Sequence, residues 1–242
     1  TFAAYSWHAL VTNCLATGET LADVHADADR GIAFARSAGF GMAVDLCGAQ
    51  LGLIRTLRGL TQRFGSFDHE DFDESATEQH YAENPALSLA EFFYQTRKLQ
   101  ARYLAGDHGA AAQAALRAHA LLWTAPSQLE TADFRFFGAL AHAAAWDTAP
   151  PERRAAHLAA AADHHAQLAA WAVHCPVNFE SRAALASAEI ARMQDQPLQA
   201  QGLYETAIEA AHRHGFVHIE ALAYEVAARF YALRGLKKIA RI

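Results

Sequence analysis

Apolar residues recur along most of the chain at the spacing of an amphipathic α-helix. Near the C-terminus they return every three or four positions through 203–211 and 222–233, and Gly215 and Gly235 follow where such helices should end. No run alternates apolar and polar positions as a half-buried strand does. The pattern predicts helices, give or take a few residues at each end, over 4–16, 20–37, 41–58, 87–105, 109–124, 129–146, 151–172, 178–193, 198–213 and 217–234.

The chain contains an internal repeat. Residues 30–59 align without a gap with residues 206–235, and eight of the 30 positions are identical. The identities fall on the core stripe, the turn and the helix end, where a structural repeat constrains its residues. Gly39 and Gly215 are therefore expected to end equivalent helices in the left-handed backbone conformation. The identical pairs are Ile32/Ile208, Ala35/Ala211, Gly39/Gly215, Phe40/Phe216, Leu46/Leu222, Leu57/Leu233, Arg58/Arg234 and Gly59/Gly235.

The repeating unit is about 44 residues long. The offset of the repeat is 176, and at close to half of it the hairpin 89–124 resembles 178–213, with Gly106 in the turn that Asp195 occupies. This length exceeds the roughly 34 residues of a tetratricopeptide repeat and lies near the roughly 40 to 47 of HEAT-type units. We therefore predict an all-α, right-handed superhelix of antiparallel helix pairs, a TPR-like or HEAT-like α-solenoid, with 1–242 as a single helical-repeat domain.

Residues 61–86 interrupt the repeat and are predicted to form an acidic loop insertion. Seven acidic residues accompany a single Arg63 here, and Phe64, Phe67, Phe72 and Tyr81 are interleaved with them. Two interpretations fit: an acidic-aromatic docking strip, or a solvated loop whose aromatic side chains lie back on the helices. The sequence leaves both open.

The composition of the chain indicates which classes of partner are disfavoured and which cellular compartment it fits. The 26 Asp and Glu residues outnumber the 20 Lys and Arg residues, and no long basic block occurs, so a nucleic-acid partner is not indicated. Three widely spaced cysteines form no CxxC pair, which fits a reducing cytoplasm. No apolar stretch approaches the roughly 18 residues of a membrane span. Because the chain starts at Thr1 without Met and 237–242 reads like the start of another helix, we expect a fragment of a larger protein.

Signatures of common catalytic and cofactor sites are absent from the sequence. There is no phosphate-binding GxxxxGK[ST] loop, GxGxxG turn, HExxH, GxSxG or kinase catalytic loop. We therefore predict that the fragment is not an enzyme and holds no cofactor. The densest histidine groups are 157, 164 and 165, and 212, 214 and 218. Because His164 and His165 diverge by about 100 degrees on a helix, and the second group straddles a turn, no metal site is predicted.

Arg97 and Gln100 are candidate binding residues on the helix predicted over 87–105. Arg97 should lie at the edge of apolar packing, where a guanidinium needs a carboxylate or an aromatic ring. It is either a clamp for a ligand carboxylate or the partner of an acidic residue on a neighbouring helix, such as Glu130 or Asp133.

Trp123 and Arg135 complete the set of candidate binding residues. Trp123 ends a helix beside a turn, where an indole is either a core residue or the wall of a pocket. Together with Arg97, the two could line a small-molecule site.

Several segments of the sequence resemble the helical region of very large bacterial signalling proteins. These segments are 99–107, 121–127, 178–180 and 203–235, and the similarity extends over the acidic stretch 67–74. Such proteins carry a serine/threonine-kinase-like domain, a STAND-type AAA ATPase module, this helical region, a GAF domain and a sensor histidine kinase.

The resemblance implies a regulatory role. Catalytic residues of that family lie in other domains, so none transfers to this chain. The implied function is a helical-repeat module for protein interaction and signal relay, which binds a protein or a neighbouring domain. The alternative is a small-molecule-sensing superhelix of a STAND-type regulator.

Overall fold

The computed structural model describes residues 2–236 and 238–241, and it is 82% helical. No strand occurs among the described residues. Short 3-10 helices cover Pro85–Leu87, Leu122–Thr124 and Ile239–Arg241. The α-helices are α1 (Phe2–Thr17), α2 (Leu21–Ser37), α3 (Gly41–Leu57), α4 (Glu74–Glu83), α5 (Ser88–Leu104), α6 (His108–Leu121), α7 (Glu130–Thr148), α8 (Pro151–His174), α9 (Pro176–Met193), α10 (Pro197–Arg213) and α11 (Val217–Leu233).

The predicted all-α class and the ten predicted helices are confirmed, with ends that agree within three residues. Helix α4 was not predicted, because it lies in the segment 61–86 that we expected to be a loop. Asp73 starts this helix by accepting a hydrogen bond from the Ala76 amide at 2.8 Å. With ten residues and no continuous apolar stripe, α4 gives little helical periodicity to read from the sequence.

The internal repeat is visible in the helix boundaries. Helices α2 and α3 and helices α10 and α11 all have 17 residues, and each boundary of the first pair recurs 176 positions later in the second. The predicted left-handed glycines are confirmed, since Gly39 has φ 66° and Gly215 has φ 76°. The Phe40 amide donates to the Ala35 carbonyl and the Phe216 amide to that of Ala211, both at 2.9 Å.

The turn between α5 and α6 repeats in the turn between α9 and α10. Gly106 has φ 77°, and Asp195, which the sequence placed in the equivalent turn, has φ 55°. Asp195 is the one non-glycine residue with positive φ in the described part of the chain. Aspartate tolerates this conformation better than most residues, because its short side chain bonds locally.

The chain divides into two compact units, Thr1–Phe137 and Gly138–Ile242, with the boundary inside α7. In the first unit α1 packs on α2 and α3, α3 packs on α5, and α5 packs on α6. One of its apolar clusters joins α1, α2 and α3. The members of this cluster are Val11, Val24, Ala28, Ile32, Cys47, Leu51 and Ile54.

In the second unit α8, α9, α10 and α11 pack against one another in sequence order. The expected helix near the C-terminus corresponds in part to the 3-10 helix Ile239–Arg241, and Lys237 and Ile242 lie outside the described residues. Among the described helices, none combines the length and the hydropathy that a bilayer crossing requires.

Candidate functional site

Arg97 is buried in an ion-pair cluster inside the first unit. Its side chain is 1% exposed, and Nη1 donates to Asp133 Oδ2 and to Gln100 Oε1, both at 2.7 Å. Nη2 donates to Glu130 Oε1 at 3.2 Å. The structure therefore pairs Arg97 with the neighbouring helix α7, which was one of the two alternatives drawn from the sequence.

Glu130 extends this cluster towards α1. Thr12 donates a hydrogen bond to its carboxylate, and His8 Nε2 lies 3.3 Å from the same oxygen. Burial raises the pKa of Glu130, but the contact with His8 and the charge of Arg97 outweigh it and hold the pKa at about 2. Glu130 is therefore ionised, and the cluster ties α1, α5 and α7 together through compensated charges.

The other candidates drawn from the sequence occupy different surroundings. A direct hydrogen bond joins Gln100 to Arg97, whereas Trp123 is 75% exposed in the 3-10 helix that follows α6. The guanidinium of Arg135 lies over the Phe134 ring at 5.6 Å from its centroid.

A groove runs between α2, α3 and the acidic segment, all within the first unit. It consists of two adjoining cavities of about 350 and 510 Å³ that share Ile32, Arg36, Gly48, Asp71 and Phe72. We call it the α3 groove, because Gly48 of α3 lies in both cavities. None of the four residues predicted from the sequence to bind a ligand lines it.

The α3 groove exists because one face of α3 carries almost no side chains. A Cβ built on Gly48 meets no atom within 4 Å, so the space above it is open. The equivalent face of α11 carries larger residues, and Tyr224 stands at the position of Gly48. In order along the two helices the pairs are Gly41/Val217, Asp45/Ala221, Gly48/Tyr224 and Gly52/Ala228.

The acidic segment is anchored on α3 and α5. Phe67 is 0% exposed, and its ring lies so close to Gly52 that an added Cβ would come within 2.9 Å of it. Tyr94 of α5 meets the same ring edge to face at 5.8 Å. Phe67 and Tyr81 are buried and Phe72 is half-buried, so these aromatic side chains lie back on the helices, whereas Phe64 is about half exposed.

Acidic residues of the segment also form ion pairs with α5. Glu74 is buried, and its carboxylate accepts hydrogen bonds from Arg102 and, at 2.6 Å, from the amide of Phe67. Lys98 pairs with Glu78. These contacts fix the wall of the α3 groove to the helices beneath it.

The two ends of the α3 groove differ in their charges. At one end Arg55 lies 2.7 Å from His69 Nε2 and 3.7 Å from Asp29, and burial together with Arg55 lowers the pKa of His69. At the other end Asp45 is half-buried near His80, and burial raises its pKa.

The sequence of α3 carries a signal for the groove. Gly41, Asp45, Gly48 and Gly52 follow one another at helical spacing on a single face of α3. Glycine within a helix is unfavourable, so the two interior glycines of this face, Gly48 and Gly52, indicate a close approach or an open surface.

Three histidines meet in the second unit. His142 Nδ1 lies 3.1 Å from His157 Nδ1, and its ring stacks on that of His164 at 5.8 Å. The sequence grouped His157 and His164 with each other and left out His142. Within the described ranges no three His, Cys, Asp or Glu side chains are placed to hold a metal ion.

Comparisons with known proteins return no relative, since no protein-family model, curated protein or solved structure matches the chain.

Proposed function

We propose that this chain is a non-enzymatic helical-repeat module that binds a segment of a partner protein, or of a neighbouring domain, in the α3 groove. The observation that carries the proposal is the bare face of α3. The repeat places Tyr224 on α11 where Gly48 leaves α3 open, and a buried aromatic anchor on Gly52 holds the opposite wall in place.

An elongated cleft between helices suits an extended peptide. The two cavities join along one face of α3, and their lining includes charged, apolar and aromatic residues. Repeat proteins commonly present such surfaces to peptides or neighbouring domains.

The parent protein is also part of the proposal. Helices that pack in sequence order and a repeat with matching boundaries support a TPR-like or HEAT-like solenoid. The sequence resemblance supports a regulatory role in a cytoplasmic bacterial signalling ATPase or kinase. A partner that binds one conformation of the module tenfold more tightly would shift the conformational equilibrium of attached domains by about 1.4 kcal/mol.

Peptide selection tests the proposal. A display library of random 12-residue peptides, which reach about 40 Å when extended, is panned on the wild-type chain and counter-selected on Gly48→Tyr, which places the residue of the second repeat copy in the groove. We expect enriched peptides to bind wild type and to lose at least about tenfold in affinity, or about 1.4 kcal/mol, on Gly48→Tyr. The matched control is Gly109→Tyr, at another helical glycine with open space around it. No enrichment, or equal binding to Gly48→Tyr, would remove the groove as the binding site.

A small-molecule sensor is the second candidate, and the size of the cavities favours it. Volumes of about 350 and 510 Å³ fall in the range of roughly 300–1,000 Å³ that is usual for small-molecule sites. A metabolite library screened by thermal shift on wild type and on Gly48→Tyr separates the candidates. A compound that raises the melting temperature of wild type alone would favour the sensor.

A further inference from the structure

We propose that the α3 groove recognises an arginine or lysine side chain in an extended segment of a partner protein, and that Asp45 is the residue that pairs with it. This inference rests on the proposed function, because it names the chemistry of the segment that the groove binds.

The charged residues of the groove favour a basic occupant. Four aspartates and two arginines line it, which is a formal charge of −2. These aspartates are Asp29, Asp45, Asp71 and Asp73. Asp29 already lies near Arg55, and Asp73 caps α4. Asp45 is the carboxylate on α3 itself, and it faces the bare stretch beside Gly48.

The carboxylate of Asp45 forms no hydrogen bond or ion pair in the part of the chain that the structure describes. His80 lines the same cavity and is the charged group that acts on it. Asp45 is half-buried, and burial raises its pKa, although His80 opposes this. Withdrawing a carboxylate from water without a partner is unfavourable, so a guanidinium or ammonium that replaces the lost water stabilises it.

The surroundings of Asp45 also fit the rest of a basic side chain. Val44, Phe72 and Tyr81 line the same cavity. Arginine and lysine lay their methylene groups along apolar surface, and a guanidinium stacks on aromatic rings. Arg36 is exposed and lies in the shared middle of the groove, so we expect the basic residue opposite Asp45 and a neutral or acidic residue opposite Arg36.

The repeat shows that Asp45 is not required for packing of the helix pair. The equivalent residue on α11 is Ala221, in a helix with the same boundaries. Asp45→Ala is therefore expected to fold, and Asp45→Asn keeps the shape of the side chain as a second variant.

Binding of the selected peptides to these variants tests the inference. Each peptide is synthesised with its basic residue intact and with that residue replaced by norleucine, and dissociation constants are measured by fluorescence anisotropy. We expect the replacement to weaken binding to wild type at least about tenfold and binding to Asp45→Ala less than about twofold. Asp45→Asn should behave like Asp45→Ala, whereas Glu209→Gln, at an exposed residue of α10 outside the groove, should behave like wild type. A peptide with glutamate in place of its basic residue should recover affinity on Asp45→Arg.

The possible results separate this inference from the proposed function. The inference would be overturned if the enriched, groove-dependent peptides had no basic residue. It would also be overturned if norleucine weakened peptide binding equally on wild type and on Asp45→Ala. In both cases the groove would remain a peptide site. If free arginine amide bound as tightly as the peptides, the occupant would be a small molecule and not a peptide segment, which would overturn the inference. A selection that enriched no peptide would overturn both.

Discussion

Gly48 and Tyr224 occupy the same position in the two copies of the helix pair, and only Gly48 leaves the surface of its helix open. A glycine inside a helix costs roughly 0.5–1 kcal/mol relative to alanine. The groove is therefore present at a cost in stability, which is common at binding sites.

The substitution Gly48→Ala is expected to stabilise the first unit, whereas Gly52→Ala is expected to destabilise it. A Cβ at Gly48 meets no atom, so Gly48→Ala should raise the free energy of unfolding by about 0.5–1 kcal/mol. A Cβ at Gly52 would come within 2.9 Å of the Phe67 ring, so Gly52→Ala should lower it by about 1–3 kcal/mol. Urea unfolding followed by circular dichroism measures both. Equal effects of the two changes would contradict the packing of Phe67 on α3.

Glycine at Asp195 is expected to stabilise the second unit. Asp195 holds φ 55° in the turn where Gly106 stands in the equivalent hairpin. The left-handed conformation costs a residue with a Cβ about 1 kcal/mol, and aspartate somewhat less. Asp195→Gly should therefore raise the free energy of unfolding by up to about 1 kcal/mol, and Gly106→Ala should lower it by about 1–2 kcal/mol. An unchanged urea midpoint for Gly106→Ala would show that the left-handed conformation of this turn does not limit stability.

Removal of the buried guanidinium is expected to be strongly destabilising. Arg97→Met removes the guanidinium that pairs with Glu130 and Asp133 in the interior, which should cost about 3–5 kcal/mol. The matched control is Arg213→Met, because Arg213 is exposed and pairs with Glu180 at 3.1 Å, a type of pair usually worth under about 1 kcal/mol. Thermal and urea unfolding of the two variants provide the comparison. Similar losses in both would show that burial does not set the strength of the Arg97 cluster.

Local features of the fold could be predicted from the sequence. Gly39 and Gly215 were predicted to be left-handed because a glycine at a helix end needs only its own few neighbours to adopt that conformation. The salt bridge of Arg97 to α7 could be stated only as an alternative, since helix periodicity shows which face is apolar and not which helix lies opposite.

Only one wall of the groove could be predicted in the same way, because the glycines of α3 follow helical spacing, whereas the opposite wall could not. It depends on how the acidic segment folds back on α3, and the contact of Phe67 with Gly52 joins residues whose spacing carries no periodic signal. The short helix α4 and the division into two compact units likewise arise from packing, which composition does not encode.

Acid is expected to destabilise the second unit partly through His157. Its Nδ1 lies 3.1 Å from that of His142, so one of the two nitrogens must accept a hydrogen bond and stay unprotonated. Burial lowers the pKa of His157, and the positive charge of Arg153 lowers it further. Between this folded-state pKa and the unfolded value near about 6.5, the unfolded chain binds more protons.

It follows that the contribution of His157 is fully present above about pH 6.5 and is lost as the pH falls towards its folded pKa. His25, His69 and His165 also have lowered pKa values, so wild type as a whole should lose stability over this range. His157→Gln should show a smaller loss than wild type when urea unfolding is repeated at pH values from about 7.5 to 5.5. Parallel curves for wild type and His157→Gln would mean that the contact between His142 and His157 does not depend on a neutral ring.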